Sequence, residues 1–212
     1  MPTLLDVTAT PRNAKSRTQK LRQAFLAGYR QAHPDFIHLQ LDLGAEHATL
    51  PAFDEWDIEA KFQMAYGEGK LDEVAAARWD RLTQLTDQLH AADVLLITAP
   101  MWNFGVPWML KRWIDCVVQG RLTFEFVDGQ FSGLLKGKRA VILTTRDGAY
   151  GPGTPYAVMD FAVPYLRTVL GLVGYGPIDA VIAEPMVMGG PEVGAAALER
   201  GVVDAGGLGK SL

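Results

Sequence analysis

Hydroxyls, an amide and aromatic rings gather in three short clusters along this chain, each at the end of an apolar run. The first is Thr10, Ser16, Arg17 and Thr18, with Arg12 and Lys15 close by. Where a helix starts, its first N–H groups lack partners and its dipole is positive, so an anion is favoured there. The hydroxyls can donate to phosphate oxygens, and the cations can offset their charge. Ser16 alone also fits an ordinary helix N-cap. The spacing contains neither Gly-x4-Gly-Lys-[Ser/Thr] nor Gly-x-Gly-x-x-Gly, which argues against a Walker or a Rossmann dinucleotide loop.

The second cluster is Pro100, Met101, Trp102, Asn103 and Phe104, a turn held between prolines at 100 and 107. Such a turn suits a flat ring, with Trp102 and Phe104 as walls and Asn103 and backbone amides meeting heteroatoms. Hydrophobic plugging under a loop is the plainer reading, although an Asn amid apolar matter needs a partner. The third cluster is Thr145, Arg146, Asp147 and Gly148, where the glycine admits close backbone approach and Tyr150 follows as a cover. An ordinary turn is the alternative there. Together the three present phosphate donors at one end and a walled planar slot at the other. FMN has that layout.

The elements that must position these clusters follow from hydrophobic period. Short apolar runs at Leu4–Thr8, Val94–Thr98, Ala140–Thr144 and Ile178–Ile182 read as strands, and the partly alternating 36–43 stretch reads as a strand near an edge. Helical spacing follows from Ser16, over 71–90, at Leu110, Ile114 and Val117, over Met159–Val173 and from Pro191. Residues 122–127 with Asp128–Gly129 read as an extended excursion with a tight turn. The 45–71 region has no clean period and is expected to be a lid-like excursion with a helical piece near Asp54–Tyr66. Five strands alternating with helices predict an α/β three-layer sandwich with a parallel sheet. In that architecture ligands sit beyond the carboxyl ends of the strands, which is where the three clusters fall.

Composition narrows the function classes. The 212 residues are 49% apolar and 21% charged, enough to fill the core of one domain. A formal charge of −4 offers no basic field for nucleic acid. No run reaches the ~18 apolar residues of a membrane span, and no basic stretch followed by an apolar one opens the chain, so a cytoplasmic protein is expected. The single cysteine, Cys116, lies at a helical spacing with Ile114 and Val117 and reads as core rather than nucleophile. His33, His38, His47 and His90 lack paired ligand spacing, so no metal site is expected.

The turn Pro100–Phe104, the Thr10/Ser16/Thr18 loop and the Thr145–Gly148 loop resemble the FMN-dependent NADH azoreductase family. The likeness extends to Leu110–Ile114, Thr123–Phe126, the 133–138 stretch and Pro164–Leu166. It implies a flavodoxin-like fold with strand order 2-1-3-4-5 over residues 1–212, and a homodimer that reduces quinones or azo compounds. It carries the phosphate loop to Thr10, Ser16, Arg17 and Thr18, one ring contact to Pro100, Met101, Trp102, Asn103 and Phe104, and a second to Thr145, Arg146, Asp147 and Gly148. Two departures stand out. The family's Ser-Arg-Gly-Gly is Thr145–Arg146–Asp147–Gly148 here, and Tyr150 replaces a usual His.

The resemblance implies that the cofactor carries the chemistry while the protein binds, orients and tunes it. NADH or NADPH is the expected donor, a small aromatic acceptor the expected partner, and the order ping-pong. No side chain need be a general base; Tyr150 is a candidate substrate or proton contact. A flavodoxin-like electron carrier without enzymatic activity is the main rival, and a phosphorylated receiver domain a second that lacks its acidic cluster.

Overall fold

The structure is a computed structural model; it describes the backbone of residues 1–212 and the side chains of all but Asn13 and Tyr66. In chain order the elements are β1 (Thr3–Thr8), α1 (Arg17–Ala32), β2 (Ile37–Asp42), α2 (Leu43–Glu46), α3 (Glu55–Tyr66), α4 (Glu73–Ala91) and β3 (Val94–Thr98). They continue with α5 (Trp108–Val117), β4 (Phe124–Val127), β5 (Gln130–Gly133), β6 (Arg139–Thr145), α6 (Val163–Val173), β7 (Ile178–Ala183) and α7 (Pro191–Ser211).

Strands β1, β3 and β6 are buried along almost their whole length because both sheet faces are covered. Leu4, Leu96, Val141 and Leu143 pack on one face with Leu21 and Phe25 of α1. Leu5, Val7, Leu95, Ile97 and Ile142 pack on the other, against α4, α5 and α6. Each such aliphatic contributes about 1.5–3 kcal/mol of burial, which fixes strand register: a one-residue slip would exchange the two faces. β2, at the sheet edge, keeps the mixed pattern that an edge permits.

The five-stranded sheet is parallel throughout, in the order β2-β1-β3-β6-β7. This corrects the expected 2-1-3-4-5. The 122–133 excursion forms two strands of its own, an antiparallel hairpin that pairs Val127 with Gln130 across Asp128–Gly129, so the last two sheet strands are the sixth and seventh of the chain. Register places Thr8 beside Thr98, and Thr98 beside Leu143. The loops after β1, β3 and β6 therefore leave from one and the same side of the sheet, the edge formed by the carboxyl ends of its strands.

One helix boundary moved and two others held to within two residues. The helix read over 159–173 starts at Val163, because Asp160 accepts from the N–H groups of Ala162 and Val163 and opens α6 there. The helical piece near 54–66 is α3, capped by Asp54, which accepts from the N–H groups of Trp56 and Asp57. The helix read over 71–90 is α4, which opens at Glu73 after the cap Asp72. Helices α1 and α7 pack backbone to backbone: a side chain at Gly28 would overlap the Gly206 carbonyl, and one at Gly209 would overlap the Phe25 carbonyl.

Candidate functional site

The β1–α1 loop delivers an anion site with an open donor. Ser16 occupies the N-cap of α1 in an extended conformation, yet its side chain makes no capping bond. Thr10 is buried, and its hydroxyl has no partner among the described residues. An unpaired buried hydroxyl costs about 1–3 kcal/mol, a cost that a phosphate oxygen in the loop would remove. The residues present thus fit the phosphate of FMN. Thr18 is different: its hydroxyl lies 2.7 Å from that of Thr145 and ties the first loop to the third. Arg17 donates to the Met186 carbonyl and stands 3.8 Å from Asp147, both side chains largely exposed.

After β3 the chain does not run straight into a helix. Met101 donates to the Thr145 carbonyl, extending the β3–β6 ladder beyond the strands. Trp102 and Gly105 then exchange both backbone hydrogen bonds, at 3.0 and 2.9 Å. The two residues between them, Asn103 and Phe104, have φ of 45° and 68°. Positive φ at both central positions marks a type I′ turn. Asn tolerates that conformation, whereas Phe does so only when its surroundings impose it. Here the Phe104 carbonyl accepts from the Phe161 N–H at 2.9 Å, and its ring meets Tyr150 edge-on, centroids 5.9 Å apart. Asn103 lies exposed at the tip. The Asn was read as amid apolar matter; the turn lifts it out.

The loop after β6 is held by its backbone and by one buried cation. Arg146 donates its N–H to the Ala183 carbonyl, and among the described residues the N–H groups of Asp147 and Gly148 have no acceptor. Its carbonyl and that of Asp147 accept from residues 186–188. The Arg146 side chain is turned to Asp160 and Glu184 rather than to solvent. Gly148 is needed for space: a methyl there would come 2.9 Å from the Tyr150 ring and 2.7 Å from the Met188 sulfur.

All three predicted clusters therefore lie at one sheet edge, and Thr18 touches Thr145 while Phe104 touches Tyr150. Asp160, Glu184 and the 186–188 segment also belong to this edge and were not read. Glu184 had a signal, since it follows the last sheet strand directly; Asp160 had only its place before a helix. Elsewhere, Cys116 is buried, and burial pushes its thiol up to about 12, so the core reading of that residue holds. Grooves of about 580 Å³ between α3 and α4 and about 620 Å³ between α3 and the hairpin are lined by none of the strand-end residues described above. Among the described residues, no helix is long and apolar enough to cross a membrane.

Known proteins resemble this chain over nearly its whole length. Residues 2–206 match a family described by its flavodoxin-like fold. The chain is 38% identical over 195 residues to FMN-dependent NAD(P)H:quinone oxidoreductase 1 of Pseudomonas aeruginosa, covering 90% of each. It is 34% identical over 192 residues to the FMN-dependent NADH:quinone oxidoreductase of Nitratidesulfovibrio vulgaris, covering 91% of this chain and 90% of that one. The crystal structure of an azoreductase from Bacillus anthracis superposes with a TM-score of 0.90 at 28% identity over the full length of both chains.

Proposed function

This chain belongs to the flavodoxin-like family that includes FMN-dependent NADH:quinone oxidoreductases, and from that premise we propose that it binds FMN at the three strand-end loops and moves two electrons from NADH or NADPH to flat quinones or azo compounds. The observation that carries the reading is Thr10, a buried hydroxyl without a partner at the mouth of a helix whose N-cap side chain makes no cap.

FMN when bound would supply the two-electron redox chemistry, and the order proposed is ping-pong. The protein's own residues bind and orient. Thr10 and Ser16 donate to the phosphate, aided by the first-turn N–H groups of α1 and the positive end of its dipole. Pro100 to Phe104 form a rigid wall, and Tyr150, packed against Phe104, closes the slot and excludes water. The N–H groups of Asp147 and Gly148 would be the donors that stabilise negative charge on the cofactor ring. Tyr150 serves in this reading as the substrate or proton contact.

Residues 45–71 act as a lid-like excursion in this reading, and α3 within it exposes Trp56 and Ile58. The exposed rings of Phe126, Phe131 and Phe161 support a homodimer, and a nicotinamide donor together with an inert buried cysteine suits the cytoplasm. The decisive measurement is the absorbance of the purified protein after addition of FMN and desalting. Retained flavin bands, bleached by NADH without air and restored by a quinone, are expected; colourless protein sinks the proposal. Thr10→Val keeps the shape and should weaken FMN binding about 10–100-fold, the worth of a hydrogen bond to a charged group, while leaving the melting temperature of the FMN-free protein unchanged or raised.

A further inference from the structure

Arg146 stands at the end of β6 with its side chain 0% exposed, and the carboxylates facing it, Asp160 and Glu184, are 13% and 16% exposed. A guanidinium this deep persists only when paired, and its planar fork can serve two carboxylates through different nitrogens. It does so here: Nη2 donates to Asp160 Oδ2 at 2.7 Å and Nη1 to Glu184 Oε2 at 3.3 Å.

Each carboxylate has a second task, one on the Phe104 side and one on the Tyr150 side of the ring pair. The Oδ1 of Asp160 accepts from the N–H groups of Ala162 and Val163, at 3.0 and 3.1 Å. That anchors Phe161, which lies between Asp160 and Ala162 and whose N–H holds the Phe104 carbonyl in the left-handed turn. Glu184 Oε2 accepts from the Tyr150 N–H at 3.0 Å. Gly151 leaves room for that carboxylate, since a methyl at 151 would come 2.7 Å from Oε1. One cation thus reaches the Phe104 wall through Asp160 and the Tyr150 wall through Glu184, and the two rings close the circuit by touching each other.

We propose that Arg146, Asp160 and Glu184 form a positioning unit that fixes the touching Phe104–Tyr150 ring pair and so decides how a flat acceptor packs against it. This rests on the functional reading given above. Arg146 then acts through the two walls, which is why its side chain faces carboxylates at a position where the family resemblance places a cofactor contact. Without the unit, Phe104 would lose the bond that offsets its unfavourable φ, and Tyr150 would lose its backbone anchor.

The test uses the whole chain loaded with FMN and three substitutions that keep it close to native. Glu184→Gln and Asp160→Asn preserve shape and one acceptor oxygen, and Gly151→Ala keeps all three charges while pushing the Glu184 carboxylate aside. Melting temperature, FMN affinity by flavin fluorescence, and KM and kcat for a naphthoquinone are measured for each. The expected result is a KM raised about tenfold, with kcat within about threefold of the unaltered protein, the signature of lost acceptor positioning. The double variant at 160 and 184 should cost less than the product of the single effects, because both act through Arg146. A merely structural role would lower the melting temperature and leave KM alone. Folded variants whose KM stays within about twofold, below the ordinary scatter of context effects, overturn the proposal. Failure of the unaltered chain to hold FMN overturns the functional reading and this proposal with it, whereas normal FMN binding with unchanged KM in the variants overturns this proposal alone.

Discussion

Asp128–Gly129 closes the β4–β5 hairpin with φ of 53° and 78°, and Asn103–Phe104 closes the turn after β3 with φ of 45° and 68°. The backbones are alike, and the residues are not. Asp-Gly is among the pairs that this turn selects, because a short polar residue and a glycine accept positive φ cheaply. At the second turn a phenylalanine stands where the glycine would be. Around Gly129 there is open space within 4 Å; around Phe104 there is the Phe161 N–H and the Tyr150 ring. The hairpin turn is specified locally by its own two residues. The site turn is imposed from outside by the elements that face it, and it carries about 1–3 kcal/mol of strain that the rest of the fold must offset.

Exchange of residues between the two turns tests this contrast. Gly129→Phe places the strained residue where nothing supports it, so stability should fall by about 1–3 kcal/mol. In a chain of this length that is roughly 2–4 °C of melting temperature per kcal/mol, read by thermal unfolding; an unchanged curve would mean that positive φ costs little in either turn. Phe104→Gly should leave stability within about 1 kcal/mol, since relief of strain is balanced by loss of a ring pair worth about 0.5–1.5 kcal/mol and by glycine's entropy. Quinone KM should nevertheless rise about tenfold, or about 1.4 kcal/mol. Steady-state kinetics with intact KM would show that the strained ring serves packing only. Asn103→Gly should move the melting temperature least, by the equivalent of a few tenths of a kcal/mol, because Asn already tolerates the left-handed region. A large shift there would locate the strain at the wrong residue.

The same contrast explains what could be read before the fold was known. Val94–Thr98 and 140–144 were legible because strands covered on both faces are apolar at every position. The tight turn at Asp128–Gly129 was legible because its residues suffice to make it. Pro100–Phe104 could be recognised as a site by its composition, but not as a left-handed turn, since Phe104 argues against the shape it adopts. The 45–71 stretch gave no period because α3 leaves Trp56, Ile58 and Phe62 exposed while burying Asp57 and Ala60, so no apolar stripe marks one face. Arg146 was legible as a loop residue and illegible as the centre of an ion network: its partners lie 14 and 38 positions away, at separations where sequence carries no pairing signal. The phosphate loop fell between these cases. Its hydroxyls were evident, whereas the division between Thr10, left open, and Thr18, spent on Thr145, required the packed structure.

The glycine seam between α1 and α7 makes α1 a clamped strut. With the backbones at Gly28 and Gly209 in contact, the strut can neither slide nor turn about its axis without a collision. Its free end, at Ser16 and Arg17, is the mouth of the phosphate loop, and the clamped half lies toward its far end in a helix of 16 residues, about 24 Å long at 1.5 Å per residue. The helix therefore works as a lever arm. A methyl added at Gly209 would move the clamp, and the displacement would be felt at the anion end as weaker FMN retention, although no atom near that end had changed.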